Sequence, residues 1–324
     1  MFRTELTISP SSFKINHGNK LLTIGSCFSQ VIGERLVNNK FDTLVNPFGT
    51  VFNPVSICRL LENSLTDNFA GIDSPIESRG VWYNHHVHSD FYGKTKDELN
   101  SKIKENLKRV HNHLLQLDTL IITLGSAFVY KLNFDKEIVA NCHKVPAGSF
   151  TKELLSVEEI VKSFSSLIDQ LKIQNSKLKI ILTVSPVRHT KDSLSLNSVS
   201  KSILRIACHK LSERSPEVFY FPSYEIMLDD LRDYRFYKED MIHPTEVAEE
   251  YIWNKFSETY FEEGTKDILK EWSSVVKALQ HKPFRTDSLE YRSFLNETLE
   301  KLKLLSGKIE VNKEMEDIKN KLQL

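Results

Sequence analysis

The sequence predicts an α/β fold: a mainly parallel sheet flanked by helices, followed by a helical extension at the C-terminus. Three observations predict it. Short apolar runs, each closed by Gly, Ser, Asn or Pro, alternate with stretches in which apolar residues recur every three or four positions. One run, Thr119 to Leu124, is apolar enough to be buried on both faces, as a central parallel strand is. Beyond Gly264 the strand pattern stops, and Lys and Glu surround a narrow leucine stripe.

The elements follow in order. Lys20 to Ile24 reads as the first strand, ended by Gly25 and Ser26, and Phe28 to Leu36 carries Val31, Ile32 and Leu36 at helical offsets. Phe41 to Val45 is a second strand, closed by Asn46, Pro47 and Gly49. Leu99, Ile103, Leu107, Val110 and Leu114 share one helical face and lead into Thr119 to Leu124 and its terminating Gly125. Between Phe128 and Val139 the pattern predicts a hairpin turning at Asn133 to Lys136. Ile160, Phe164, Leu167 and Leu171 mark a helix before the strand Lys179 to Val184, stopped by Ser185 and Pro186. Val199, Ile203, Ile206 and Lys210 mark another before Val218 to Phe221. Ala248, Ile252 and Phe256 predict a closing helix after Pro244. The stripe Leu295, Leu299, Leu302 belongs to an extension that Pro283 breaks into two helical pieces. The predicted division is a domain over 1–262 and an extension over 263–324, with homo-oligomerisation through the C-terminal helices as its functional option.

The chain has 324 residues, 40% hydrophobic and 27% charged, with 11 Gly and 10 Pro, which excludes a fibrous or globally disordered protein. Lys plus Arg number 43 and Asp plus Glu number 43, so no net field favours a nucleic-acid partner. Cys27, Cys58, Cys142 and Cys208 are far apart and form no CxxC pair, which fits a reducing compartment better than a disulfide scaffold or a zinc site. Met1 to Pro10 lacks the apolar core of a signal peptide, and no window reads as a membrane span. The expectation is a cytoplasmic protein with no membrane partner, no metal and no cofactor.

Ligands of open α/β sheets bind at the carboxyl ends of the strands, so the loops there carry the candidates. Ser26 lies where the first strand meets the first helix, where helix N–H groups favour negative charge. Asp240 precedes His243 by three residues in a turn stopped by Pro244, so its carboxylate can orient the imidazole. The plainer readings are a helix cap for Ser26 and for Asp240, and a surface position for His243. Cys27 is a rival nucleophile for the same histidine, against the buried position typical of cysteine. His85, His86, His88 and Asp90 are the most metal-like cluster, without a second ligand pair at typical spacing. His143 and His189 are either pocket residues or structural histidines. Arg232, Asp233, Tyr234 and Arg235 either bind an oxyanion or hold the Asp240–His243 turn in place.

Together, Gly25, Ser26, Cys27, Phe28 and Ser29 resemble the name-giving motif of the GSCFA domain family, with Ser29 where alanine is common. The segments Val45 to Pro54, Thr123 to Ala127, Asn141 to Pro146, Thr183 to His189 and Tyr220 to Pro244 extend the resemblance. That family is in turn similar to the SGNH, or GDSL-like, hydrolases. The resemblance implies a three-layer α/β/α, flavodoxin-like fold. It implies a serine hydrolase of carboxylic esters that removes or transfers a short acyl group on a carbohydrate-like substrate. Ser26 matches the nucleophile, His243 the base and Asp240 its orienter, and the Ser26 and Gly49 N–H groups match oxyanion donors. SGNH enzymes usually supply a further donor from an Asn in a GxND motif. This chain reads Gly125, Ser126, Ala127, Phe128, which leaves Ser126 or Asn141 for that role. The competing expectation is a non-catalytic binding or interaction protein that keeps the fold.

Overall fold

The apolar runs become parallel strands because each is too short to form a helical stripe and is bounded by residues that break regular backbone. The structure, a computed structural model, describes residues 4–281, 283–285 and 287–323, so residues 1–3 of the expected N-terminal segment lie outside the described residues. The strands and helices follow as β1 (Lys20–Gly25), α1 (Cys27–Asn38), β2 (Asp42–Val45), α2 (Pro54–Leu65), β3 (Pro75–Ser78), β4 (Val81–Asn84) and α3 (Lys96–Leu114). Then come β5 (Thr119–Leu124), β6 (Phe128–Leu132), β7 (Ile138–Val139), β8 (Phe150–Leu154), α4 (Val157–Gln174), β9 (Lys179–Val184), α5 (Leu194–Arg214) and β10 (Val218–Tyr220). The chain continues through the short α6 (Ser223–Glu225) to α7 (Glu246–Tyr260), α8 (Glu263–Gln280), α9 (Leu289–Leu305) and α10 (Asn312–Gln323).

The main sheet has the order β10-β9-β5-β1-β2, with β5 between β1 and β9 in parallel register. The connection β1 to β2 runs one way across the sheet, whereas β2 to β5, β5 to β9 and β9 to β10 run the other. Right-handed crossovers therefore put α1 on one face and α2 to α5 on the opposite face. Leu22, Ile24, Leu120, Ile122, Ile180 and Leu182 pack with α2 to α5 in one cluster. The alternate residues Leu21, Ile121 and Ile181 point to the other face and are equally buried. The result is the expected three-layer α/β/α arrangement. Its direction reverses between β1 and β5, and the crevice at their carboxyl ends is where such a sheet places its ligand.

The expected hairpin forms as β6 against β7, and β8 adds a third antiparallel strand on the other side of β6. Helix α5 buries a different face from the one its periodicity predicts. Val199 and Ile206 are 43% and 47% exposed, while Ser200, Lys201, Leu204 and Cys208 face inward. Polar residues that bond loop backbone groups occupy the inner stripe there, Lys201 donating to carbonyls and Ser200 accepting from an N–H, and hydropathy alone points the wrong way.

By contact the chain divides into two compact units, the first formed by the segments up to Ile8, Lys20–Glu34 and Thr43–Lys255. The second is formed by Ser9–Asn19, Arg35–Asp42 and the chain from Phe256 onward. Within the second unit the stripe Leu295, Leu299, Leu302 is covered by Trp272 and Val275 of α8 and Ile318 of α10. The extension holds three helices where two were expected, because the chain turns again between α9 and α10 and buries Ile309 and Val311. Among the described residues no helix is long and apolar enough to cross a membrane, and all four cysteines are free.

Gly25 ends β1 at φ +141°, and a Cβ there would lie 2.1 Å from the Thr123 carbonyl oxygen. Gly25→Ala is therefore expected to destabilise the fold by about 2–4 kcal/mol. Gly148→Ala, with nothing within 4 Å, serves as the near-neutral control. Urea unfolding of the two variants checks the contrast; equal midpoints would contradict it.

Candidate functional site

The segment from Asn46 to Pro54 folds across the carboxyl edge of the sheet. Val51 N–H donates to Gly25 O (2.9 Å), and Gly125 and Ser126 N–H both donate to Phe52 O (2.9 and 3.1 Å). Asn53 then caps α2 by accepting from Ser56 N–H at 2.8 Å, with Pro54 in the first turn. Gly49 takes φ +71° in this segment, and a Cβ on it would meet His88 Cβ at 2.3 Å.

Beside this edge lies a cavity of ≈ 600 Å³. Cys27, Phe52, Ser126, Asn141, His189 and His243 are among its lining residues, together with the ion-paired Lys152 and Asp192. Thus β1, β5, β9 and the last loop of the first unit converge on one space. Of the predicted site residues, Ser126, Asn141 and His243 line it. Ser26, the residue before Cys27, is 1% exposed and does not line the cavity, and its hydroxyl is buried without a hydrogen-bond partner.

The turn carrying Asp240 and His243 closes as the spacing predicts. Asp240 Oδ1 accepts from the N–H groups of Ile242 (2.8 Å) and His243 (3.0 Å), and Oδ2 accepts from His243 Nδ1 at 2.7 Å. The His243 N–H, the His243 ring and the Ile242 N–H hold the carboxyl well below the usual carboxylate range. Helix α7 is capped by Thr245 instead, which accepts from Ala248 N–H at 3.4 Å.

Arg188 steadies this turn, a role that the sequence suggested for Arg232 to Arg235. Its backbone N–H donates to Ile242 O (3.2 Å), and its guanidinium lies 3.9 Å from the centre of the Tyr237 ring. Arg232 and Arg235 pair instead with Asp229 and Asp233 on the exposed surface. No sequence periodicity marks Arg188, because its partner lies about fifty residues further on.

The expected oxyanion donors each make a hydrogen bond within the protein. Ser26 N–H donates to Thr123 O (3.0 Å), since the β1–β5 ladder runs on past Gly25, and Gly49 N–H closes its own turn on Asn46 O (2.7 Å). The Ser126 hydroxyl accepts from Phe128 N–H and meets Ser200 Oγ. Asn141 Nδ2 donates one of its two hydrogens to Ser89 Oγ, while its Oδ1 accepts from His143 N–H.

The histidines of the metal-like cluster diverge. His85 Nδ1 meets Asn141 O, His86 sits buried against Arg59 and Glu137, and His88 pairs with Asp90. Burial, then Arg59, lowers the His86 pKa to about 3. Among the described residues no group of three or more His, Cys, Asp or Glu could hold a metal ion. His143 is structural: it stacks on Tyr83, and its Nε2 donates to Asn84 O at 2.7 Å. Burial raises the pKa of the Cys27 thiol, which disfavours its reactive thiolate.

Residues 20–256 match the GSCFA family, and residues 272–324 match the GSCFA domain protein, C-terminal domain. The chain belongs to the GSCFA family. Among curated proteins none matches it. One similar solved structure is a carbohydrate esterase family 3 protein from Talaromyces cellulolyticus, with 12% identity and a TM-score of 0.36 over 78% of this chain and 99% of that one. Another is an acetyl esterase mutant with acetate ion, with 12% identity and a TM-score of 0.36 over 79% and 99%. The GSCFA match spans every strand of the main sheet and the whole candidate site.

Proposed function

We propose that this GSCFA protein is an SGNH-type serine hydrolase that cleaves or transfers a short acyl ester carried on a carbohydrate-like substrate. The observation that carries this reading is the 2.7 Å His243–Asp240 contact at the cavity that also takes in the first turn of α1. With Nδ1 bonded to the carboxylate, Nε2 is the nitrogen that takes a proton, and the imidazolium so formed is stabilised by Asp240. Ser26 Oγ attacks the ester carbonyl, its proton passes to His243 Nε2, and His243 returns that proton to the leaving alcohol. Water then releases the acid, whereas a sugar hydroxyl in its place gives transfer. The N-terminus of the 12-residue α1 favours the negative charge that develops beside Ser26. The reading requires the Ser26 hydroxyl, buried without a hydrogen-bond partner, to reach the cavity by a change of side-chain rotamer. Phe52, Val129 and Val139 supply an apolar wall suited to a small acyl group, and the Lys152–Asp192 pair and Asn141 supply polar groups suited to sugar hydroxyls.

One observation favours a second reading: the residue of this turn that lines the cavity is Cys27. Treating the wild type, Ser26→Ala and Cys27→Ala with a fluorophosphonate and a short-chain nitrophenyl ester separates them. Labelling and turnover lost only in Ser26→Ala is the expected result. Loss only in Cys27→Ala would make the thiol the nucleophile. No labelling of the folded wild type would leave a binding protein.

A further inference from the structure

An ester hydrolase needs donors for the carbonyl oxygen, and the backbone N–H groups of Ser26 and Gly49 are held by Thr123 O and Asn46 O. Among the described residues that line the cavity, His189 alone has a buried side-chain polar atom with no hydrogen-bond partner, its ring nitrogen Nε2. The residue follows β9. Its backbone N–H is fixed to Asn197 Oδ1 at 2.9 Å, and its ring stands edge-on to Phe52 with centroids 5.2 Å apart. Nε2 lies 3.2 Å from where a Cβ on Gly125 would be, two residues past Thr123, whose carbonyl receives the Ser26 N–H. The unpartnered nitrogen is therefore on the same sheet edge as Ser26, one strand away.

We propose that His189 is the oxyanion donor of this site: in its Nε2–H tautomer it hydrogen-bonds the ester carbonyl oxygen as the tetrahedral adduct forms on Ser26. The inference rests on the Ser26 reading above and adds to it a side-chain donor from the loop after β9. No bond to His189 is made or broken. As Ser26 Oγ bonds to the carbonyl carbon, the C=O π pair moves onto the oxygen, which accepts from Nε2–H; when the alcohol leaves, the pair returns. Burial first, then the Lys201 ammonium and His243, lower the His189 pKa to about 3, so the ring stays neutral near neutral pH. Two histidines in one cavity thereby take two roles. His243 faces a carboxylate and collects a proton, whereas His189 faces none of its own and keeps the one it has.

The full-length chain tests this with His189→Phe, which keeps a ring but loses the donor, and His189→Gln, which keeps an N–H. Turnover of 4-nitrophenyl acetate is expected to fall about 10²–10³-fold in kcat for His189→Phe with KM within about twofold, and His189→Gln is expected to recover at least about tenfold of that loss. Thermal unfolding establishes that both variants are folded. In the wild type with ¹⁵N-labelled histidine, the His189 Nε2–H resonance is expected to move downfield when a fluorophosphonate caps Ser26. Ser26 capped with that resonance unmoved, or with His189→Phe as fast as wild type, overturns the assignment and leaves the Ser26 reading standing. A wild type that reacts with neither reagent overturns both.

Discussion

Asp240→Asn is expected to lower kcat for a short-chain nitrophenyl ester by about 10⁴-fold while leaving the fold intact. The carboxylate does two things in this turn. Oδ1 takes the Ile242 and His243 N–H groups, and an amide oxygen can still accept them. Oδ2 accepts from His243 Nδ1 at 2.7 Å, and an Asn NH₂ turned to that nitrogen donates instead of accepting. The ring then carries its proton on Nε2, the wrong tautomer for a base, and nothing anionic stabilises the imidazolium. Geometry is kept and chemistry is lost. Turnover falling less than about tenfold, with the unfolding midpoint unchanged, would remove Asp240 from the mechanism.

Lys201→Met is expected to change how stability depends on pH. Lys201 is buried on the inner face of α5, and its ammonium donates to Gly125 O and Ser185 O, both at 2.8 Å. These carbonyls follow β5 and β9 directly, so the side chain fastens the two strand ends to each other. It faces the Tyr224 ring at 5.9 Å and has His189 close enough to feel its charge. Burial lowers its pKa to about 7. Between about pH 7 and the ordinary lysine value the unfolded chain holds a proton that the folded chain has released, so this group makes stability rise with pH across that window. Below about pH 7 both states are protonated, and the cost of burying the charge is borne in full. One proton corresponds to a slope of about 1.4 kcal/mol per pH unit. Cys58 and Cys208, whose thiol pKa values burial raises, act in the opposite direction at the upper end, so the quantity to read is wild type minus Lys201→Met. Urea unfolding between pH 7 and pH 9 is expected to show the difference growing by about 2–3 kcal/mol in favour of the wild type. Parallel curves would show that Lys201 does not titrate in the folded protein.

The two groups show what was legible and what was not. The Asp240–His243 pair was readable because a local rule forms it, three residues apart in one turn, with no help from elsewhere in the fold. Ser26 was readable as the residue at a strand-to-helix junction. Lys201 was not, because periodicity assigned the inner face of α5 to Val199 and Ile206, and a lysine is expected outside. Only the strand ends that it reaches, Gly125 and Ser185, account for its burial. The engaged Ser26 and Gly49 N–H groups were equally hidden, since motif matching names a donor without showing which carbonyl already holds it.

By itself the sequence determined the strand and helix order, the parallel sheet, the strand-end loops that would carry chemistry and the Asp240–His243 turn. All of these follow from local spacing, apolar runs and backbone breakers. Tertiary structure alone decided which polar groups remain without partners once those loops meet: the Ser26 hydroxyl and His189 Nε2 were left unpaired, while Ser126 and His143 were tied down. Hydrogen bonds between loops some fifty to seventy-five residues apart depend on sheet order and on the packing of α5, and no local pattern in the chain encodes them.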